Sequence, residues 1–177
     1  MGQILKKYSE HYSVEEWRNW QDRWELIDGF PYCMSPAPSK QHQLINSRLI
    51  QLLNNELNAC KKFIATIFVD WEINEDTVVQ PDVSVICNDL EGTGLNVPPK
   101  IIFEIFSPST KQKDQGTKFN LYEANGVNYY VMVDPVKSEI EIFLLANGSY
   151  KKQESTSIFH FEINECSFDF DFSKIWN

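Results

Sequence analysis

A long amphipathic segment followed by short apolar runs dominates the middle of the chain, and this pattern predicts an α/β protein. Residues from about 40 to 59 have apolar positions at helical spacing, and Ser39 can cap this helix. Four short, largely apolar runs follow and are typical of strands in a sheet: 63–73, 78–87, 100–106 and 128–133. A second helix, which ends near Asn125 with Gly126 as its C-terminal cap, separates the last two runs.

The order of these elements predicts the topology of the sheet. Three strands in succession indicate an antiparallel meander, because parallel neighbours need a long crossover connection. Residues 88–99 predict a loop, and residues 107–110 predict a turn that starts the second helix. This helix crosses over the sheet and lets the fourth strand pair in parallel. We therefore expect a mixed sheet covered by two helices.

Both ends of the chain add elements to this core. Ser13 and Glu16 have the spacing of a capping box that begins a short helix, and Asp28-Gly29 predicts the turn of a hairpin. Towards the carboxyl end, Asn147-Gly148 predicts a second hairpin, and residues 158–163 and 168–172 are strand-like. The core thus spans about 39–135, with a helix and hairpin at 13–35 and a β extension at 137–172.

The composition is typical of one globular domain. The 177 residues are 42% hydrophobic, which is enough for a sizeable core, and no repeat or linker divides them. No apolar run approaches the roughly 18 residues of a membrane span, and the first residues lack the hydrophobic stretch of a signal peptide. We expect one domain over residues 1–177, no membrane association and a cytoplasmic location.

The cysteines are far apart in the sequence and include no C-x-x-C pair, so neither a zinc site nor a redox motif is predicted. Nothing else in the chain indicates an oxidising compartment. Buried free thiols are therefore the expected state of Cys33, Cys60, Cys87 and Cys166.

The net charge of −9 argues against indiscriminate binding to nucleic acid, which depends on many contacts between basic side chains and phosphates. The balance changes between residues 100 and 118. This stretch contains Lys100, Lys111, Lys113 and Lys118 against Glu104 and Asp114. If a metal ion neutralises Glu104, this neighbourhood is cationic.

Two acidic residues lie inside the apolar runs, where an unpaired charge is costly unless a partner or a cation compensates it. Asp82 belongs to the second run and Glu104 to the third, and Lys118 follows on the next helix. This set matches the needs of metal-dependent phosphodiester hydrolysis. Two carboxylates hold Mg²⁺, and an ammonium group stabilises negative charge or positions a water.

Periodicity indicates how these side chains can meet. Because side chains alternate along a strand, Glu104 shares a face with Ile102 and Phe106, and Asp82 shares one with Ser84 and Ile86. If the two strands pair, the carboxylates can lie about 4–6 Å apart, as bridging one cation requires. On the helix, Asp114, Lys118 and Tyr122 form one row that faces either the acids or water.

Each of these residues also has a purely structural interpretation. Asp82 could start a strand with a solvated side chain, and Glu104 could pair with a lysine or arginine of the core. Lys118 could form an ordinary surface ion pair with Asp114, four residues earlier on the helix.

The chain resembles the PD-(D/E)-x-K restriction-endonuclease-like superfamily and, more closely, the Uma family of restriction-endonuclease-like proteins. The most specific part is Glu-Ile-Phe-Ser-Pro-Ser-Thr at 104–110, followed by Asp114 and Lys118. The other matching stretches, within residues 13–150, are 24–29, 35–38 with His42, 81–85, Tyr122, 126–127, 129–130 and 133–135. One position departs from the superfamily: Phe106 stands where the lysine usually follows the acid by two residues.

The resemblance implies a restriction-endonuclease-like α-β-β-β-α-β core with a mixed central sheet flanked by helices and β additions at both ends. It implies that Asp82 and Glu104 bind Mg²⁺ or Mn²⁺ and that Lys118 replaces the missing lysine. Glu25 and His42 are secondary candidates, as ligands or orienting groups. Glu25 could equally be a solvent-facing hairpin residue and His42 a packing residue, while Asp114 is best interpreted as the partner that fixes Lys118.

Two classes of function follow from these observations. The first is a Mg²⁺-dependent nuclease, with nucleic acid as its partner and DNA favoured. The second is a non-enzymatic dimeric binding module that keeps the nuclease fold, which the net charge and Phe106 favour. A hydrolase for another substrate is a third possibility. We also expect a homodimer, because the aromatic-rich tail strands at 139–145 and 157–163 are edges that need cover.

Overall fold

A computed structural model of the chain describes residues 10–34, 37–88, 94–107 and 111–176, with residue 111 as backbone only. Its helices are α1 (Val14–Trp17), α2 (Lys40–Leu57), α3 (Lys111–Lys113), a π-helical turn (Asp114–Lys118), α4 (Phe119–Ala124) and a 3-10 turn (Phe172–Ile175). None of the helices in these ranges is long and apolar enough to cross a membrane. The motif at 35–36 and parts of the predicted loop at 88–99 and turn at 107–110 lie outside the described residues.

The strands in the described ranges form two main sheets and a separate hairpin. They are β1 (Trp24–Ile27), β2 (Phe30–Cys33), β3 (Phe63–Ile67), β4 (Trp71–Asn74), β5 (Thr77–Val79), β6 (Val83–Cys87), β7 (Ile101–Ile105), β8 (Tyr129–Asp134), β9 (Glu139–Ala146), β10 (Ser149–Lys152), β11 (Ile158–Ile163) and β12 (Cys166–Asp171). The larger sheet has the order β10-β9-β8-β7-β6-β3. In it β3, β6 and β7 are antiparallel neighbours, whereas β7 and β8 are parallel. The predicted meander, crossover and mixed sheet are confirmed.

Two predicted strands were wrong in their extent, because each is divided between the two main sheets. The run 63–73 is broken at Phe68, whose positive φ of 51° turns the chain, and the run 78–87 is broken at Gln80 and Pro81. Their halves β4 and β5 join the N-terminal hairpin in a smaller sheet of order β2-β1-β5-β4. The pairing of Leu26 in β1 with Val78 in β5 brings the N-terminal hairpin beside Asp82.

Side chains alternate between the two faces of the large sheet, and each face packs into its own hydrophobic core. One face carries Val85, Phe103 and Ile105 and packs under α2 and the β11–β12 hairpin. The other face carries Ile86, Ile102 and Phe106 and packs against Tyr122 of α4. The predicted faces of β6 and β7 are therefore correct.

The tail hairpin β11–β12 covers the sheet within the same chain. Phe161, Phe168 and Phe170 are buried in the core beneath α2. One of the two outer strands of the large sheet, β10, ends in the exposed residues Lys151 and Lys152, which protect this edge from pairing. The aromatic side chains of β11 therefore pack within the same chain. The need to cover this strand no longer supports the expected homodimer.

The cysteine prediction was wrong. Cys60 and Cys166 form a disulfide across 106 residues of sequence, and Cys33 and Cys87 are free but exposed. The two bonded residues follow α2 and open β12, respectively. They meet because the tail hairpin packs over the helix, a contact that spacing along the sequence does not reveal.

This disulfide predicts the result of a thiol titration. Unfolded in guanidinium without reductant, the protein should react with two equivalents of a thiol reagent, those of Cys33 and Cys87. After reduction the number should rise to four, the full cysteine content. Four reactive thiols before reduction, in protein purified under air, would contradict the bond.

Candidate active site

Asp82 and Glu104 meet where β6 and β7 run side by side. Val83 pairs with Phe103, and continuing this register by one residue brings Asp82 opposite Glu104. The backbone N–H of Ile105 donates to Asp82 Oδ2 over 2.8 Å, which ties the carboxylate to the neighbouring strand. Asp82 is 8% and Glu104 3% exposed. The alternative of a solvated Asp82 at a strand start is therefore wrong.

Lys118 joins this pair from the other side. Its Nζ atom lies 2.8 Å from Glu104 Oε1 and 2.8 Å from Glu25 Oε1. The i, i+4 contact with Asp114 Oδ1 is longer, at 4.0 Å. Lys118 is only 2% exposed, so it is not the surface ion pair of the structural interpretation. Glu104 does pair with a core lysine, and that lysine is Lys118.

A π-helical turn presents this row of side chains to the acids. The turn spans Asp114–Lys118, and both of its end residues are buried. The hydroxyl of Tyr130 donates to the backbone carbonyl of Asp114 over 3.0 Å and supplies a partner for one carbonyl of the turn. Such turns are rare in helices and are frequent at functional sites. The predicted row therefore faces the acids rather than water.

Tyr122 completes the row and fixes Glu104. Its hydroxyl donates to Glu104 Oε1 over 2.7 Å, and its ring stacks on Trp71 with centroids 6.0 Å apart. Phe106, in place of the usual lysine, is buried in the same apolar cluster as Tyr122. The helical spacing of Asp114, Lys118 and Tyr122 was the sequence signal for this contact.

Glu25 lies at the centre of the charged cluster. It is fully buried and accepts hydrogen bonds from the backbone N–H of Gln80 at 2.9 Å and from Lys113 Nζ at 2.5 Å. With Lys118 it thus has three donors. The interpretation of Glu25 as a solvent-facing hairpin residue is wrong, because the pairing of β1 with β5 turns its side chain inward.

Lys113 is a member of the cluster that sequence reasoning missed as a site residue. In the sequence, Lys113 stands out only as part of the basic stretch between residues 100 and 118. Its hydrogen bond to Glu25 joins residues that are 88 positions apart. Lys100, from the same stretch, precedes Glu104 by four residues of extended chain, about 13 Å along β7. Among the described side chains of that stretch, the cationic neighbourhood therefore consists of Lys113 and Lys118.

His42 orients Asp82 from the first turn of α2. Ser39 caps this helix by accepting from the backbone N–H of His42, and the ring is buried. Its Nε2 atom lies 3.1 Å from Asp82 Oδ2, the oxygen that also accepts from Ile105. His42 is therefore more than a packing residue. Among the described residues, its contact to the site runs through the carboxylate of Asp82.

Burial and neighbouring charges shift the proton affinities in the cluster. Burial, reinforced by Asp114, Asp82 and Glu25, raises the pKa of Glu104 to about 8 against the opposing effect of Lys118. Burial favours a neutral Lys118, but the surrounding carboxylates outweigh it and hold its pKa well above the usual value. Burial also acts on Glu25, yet Lys118 and Lys113 lower its pKa. Lys118 is therefore charged inside the cluster, although burial alone would favour its neutral form.

The two central carboxylates are the candidate ligands for a divalent cation. Asp82 Oδ2 and Glu104 Oε1 are engaged by protein donors. Asp82 Oδ1 and Glu104 Oε2 accept no hydrogen bond from the residues that the structure describes. Within those residues no group of three His, Cys, Asp or Glu forms a complete ligand set. Mg²⁺ does not need three protein ligands, because it usually keeps several waters and is bound by one or two carboxylates.

The charges of the cluster also favour a cation. Among the described side chains, its carboxylates are Glu25, Asp82, Glu104 and Asp114, and its ammonium groups are Lys113 and Lys118. The raised pKa of Glu104 reflects the cost of its negative charge in this buried site. A divalent cation bound there would favour the ionised carboxylate and offset that cost.

The chain shares its fold and its sequence family with known proteins. Its fold is similar to that of "a putative nuclease belonging to DUF820" from Anabaena variabilis, with a TM-score of 0.74 at 15% identity, over 93% of this chain and 97% of that one. Residues 9–163 match the family model "Uma2: Putative restriction endonuclease". The chain is also 34% identical over 139 residues to "Uncharacterized protein slr1290" of Synechocystis sp., across 74% of this chain and 73% of that protein.

The fold is thus the mixed α/β fold that the sequence resemblance implied, and the Anabaena protein shares it. The chain belongs to the Uma2 family, whose model covers most of its length.

The contact between His42 and Asp82 predicts a moderate effect on activity. His42→Ala should lower metal affinity or hydrolysis by about 10–100-fold, the usual cost of removing a group that orients a ligand. His42→Gln keeps a donor and should recover part of the loss. His160→Ala is the matched control, because His160 pairs with Asp169 on the exposed tail hairpin. Wild-type activity and Mn²⁺ affinity in His42→Ala would show that the contact has no role in the site.

Proposed function

We propose that this protein is a metal-dependent nuclease that hydrolyses phosphodiester bonds, with DNA as its favoured substrate. The observation that carries the proposal is the placement of Lys118, buried between Glu104 and Glu25, beside an Asp82 that lies opposite Glu104 in the sheet register. Membership of a family whose model is described as "Putative restriction endonuclease" and the fold shared with a protein described as "a putative nuclease" support it.

Each residue has a defined task in this proposal. Asp82 and Glu104 would hold Mg²⁺ or Mn²⁺ through Asp82 Oδ1 and Glu104 Oε2, the oxygens without a described hydrogen bond. When bound, the cation supplies Lewis-acid stabilisation of the phosphate and activation of a water. Lys118 stabilises the negative charge that develops on the phosphoryl oxygens or positions the attacking water.

The remaining residues keep this arrangement rigid. Glu25 holds the Lys118 ammonium from the side opposite Glu104, so the lysine has one position rather than several rotamers. Tyr122 fixes one oxygen of Glu104, while His42 fixes one oxygen of Asp82. Asp114 adds a third negative charge near Lys118 and keeps it protonated. Preorganised charges of this kind need no reorganisation during the reaction.

Hydrolysis assays test the proposal directly. Purified protein is incubated with plasmid DNA, single-stranded DNA and RNA in Mg²⁺ or Mn²⁺, with EDTA and Glu104→Gln as controls. Metal-dependent cleavage that disappears in both controls is the expected result. No cleavage of any of these substrates with either metal, by folded protein, would contradict the proposal.

A binding module that retains the nuclease fold is the second candidate. The net charge of −9 favours it, because it opposes contact with a polyanion, and so does Phe106, because this buried apolar residue stands where the superfamily usually has a lysine. Metal binding separates the two candidates, since a scaffold has no need for a divalent cation. In a module that binds no metal, the buried charges are a structural ion network.

The homodimer also stays a prediction. Light scattering at micromolar concentration is expected to give twice the monomer mass, and a monomer mass would count against it.

A further inference from the structure

Two lysines share Glu25, but they differ in their access to solvent. Lys118 contacts Glu25 Oε1 and Lys113 contacts Glu25 Oε2, so one carboxylate holds both ammonium groups. The side chain of Lys118 is 2% exposed, whereas that of Lys113 is 15% exposed. Lys113 therefore lies at the border between the buried cluster and the surface.

The partners of the two lysines differ in the same way. Lys118 Nζ lies 2.8 Å from Glu104 and from Glu25 and 4.0 Å from Asp114, so two of its three donors are engaged inside the protein. Lys113 Nζ has one carboxylate partner among the described residues, and it lies 5.4 Å from the centroid of the Tyr32 ring. A lysine has three N–H donors. Lys113 therefore keeps donor capacity for a further anion at the edge of the site.

We infer that Lys113 binds a backbone phosphate of the nucleic acid at the entrance of the site, while Lys118 acts on the reacting phosphate inside it. This inference rests on the proposed nuclease function. Glu25 sets the spacing of the two cations, because its two oxygens hold one lysine each. Tyr32 limits the position of Lys113 on its other side. A polyanion with successive phosphates is the substrate class that can engage both cations.

Loss of this contact is measurable through the salt dependence of binding. The chain has 16 Lys and Arg residues against 25 Asp and Glu, so its net charge of −9 opposes nucleic acid and binding depends on local basic groups. Binding that releases counterions depends on salt, and each phosphate contact adds about 0.9 to the slope of log K against log salt. Loss of one contact is therefore visible in the slope as well as in the affinity.

Lys113→Gln is the variant that tests the role of Lys113. Glutamine removes the charge but can still donate to the buried Glu25, which limits the structural damage. We expect KM for DNA to rise about tenfold at nearly unchanged kcat, as for the loss of a contact made equally in substrate and transition state. The salt slope of binding, measured with a short fluorescein-labelled DNA duplex, should fall by about 0.9. Lys113→Arg should restore both quantities.

Lys62→Gln is the matched control for the loss of an ion-paired lysine. Lys62 Nζ lies 2.5 Å from Glu165 Oε2, the same separation as between Lys113 and Glu25, but at the far end of the large sheet. This control should keep the wild-type KM and salt slope. Thermal melting of all variants shows whether any change in KM reflects loss of fold.

The outcomes separate this inference from the proposed function. Hydrolysis by the wild type with an unchanged KM and salt slope in folded Lys113→Gln overturns the role of Lys113 alone. DNA binding without hydrolysis overturns the proposed function. The salt slope of DNA binding by Lys113→Gln then shows whether Lys113 contacts a phosphate. If the wild type neither binds nor cleaves DNA, both are overturned.

Discussion

Lys118→Met should reduce phosphodiester hydrolysis by roughly a hundredfold or more, as expected for the loss of one preorganised charge stabiliser. The same change should lower the free energy of unfolding by about 3–5 kcal/mol, because it leaves buried carboxylates without their cation. Those carboxylates are Glu104 and Glu25, each 2.8 Å from the ammonium group. Binding of Mn²⁺ should survive, since lysine is not a ligand. Steady-state kinetics, chemical denaturation and calorimetry measure the three quantities.

A double variant separates the effect on catalysis from the effect on folding. Lys118→Met combined with Glu25→Gln removes one charge of each sign and should recover part of the lost stability. It should not recover hydrolysis, because the catalytic ammonium group is still missing. Lys100→Met, directly before β7 and away from the cluster, is the control and should resemble the wild type. A folded Lys118→Met protein with the wild-type rate would refute the role of Lys118.

Asp82→Asn and Glu104→Gln should have the largest effects on activity, about a thousandfold or more each. A bound metal contributes several kcal/mol to the stabilisation of a reacting phosphate, and each 1.36 kcal/mol corresponds to a factor of ten in rate. Each variant removes one of the two proposed ligands, so Mn²⁺ affinity should fall together with the rate. Calorimetric titration with Mn²⁺ and the hydrolysis rate measure the two effects.

The stability of Glu104→Gln gives an independent check. The amide keeps the shape of the side chain and cannot ionise, whereas burial raises the pKa of Glu104 to about 8 and makes its charged form costly. In the absence of metal, the melting temperature should therefore stay the same or rise, as is common when a functional site is neutralised. Glu141→Gln is the control, because Glu141 pairs with Lys152 on the exposed outer hairpin. Unchanged Mn²⁺ affinity in both Asp82→Asn and Glu104→Gln would contradict their assignment as ligands.

The parts of the fold that depend on local patterns were predictable. Ser39 and the apolar spacing gave α2, and the Asp28-Gly29 turn gave the β1–β2 hairpin. The division of the 63–73 run was not predictable, because Phe68 is an apolar residue that gives no local sign of its left-handed conformation. Pro81 was a sign that the 78–87 run is interrupted, since proline within a run argues against a continuous strand.

Some residues of the candidate site were likewise predictable from local patterns, and others were not. Asp82, Glu104 and Lys118 stood out because charged residues within or beside apolar elements are unusual, and the strand and helix periods indicated how they could meet. The burial of Glu25 and its bond to Lys113 depend on the pairing of β1 with β5, which joins segments about fifty residues apart. The disulfide between Cys60 and Cys166 depends likewise on how the tail hairpin packs. No local pattern encodes such contacts.

The most direct test of the central claim is a crystal of the wild-type protein soaked in Mn²⁺ and measured at the manganese absorption edge. The proposal predicts an anomalous peak in contact with Asp82 Oδ1 and Glu104 Oε2, at about the 2.1 Å typical of Mg²⁺-type sites. Lys118 should remain beside Glu104 in that crystal. A structure at saturating Mn²⁺ with no peak between these carboxylates, or with the two carboxylates too far apart to share a cation, would contradict the proposed metal site.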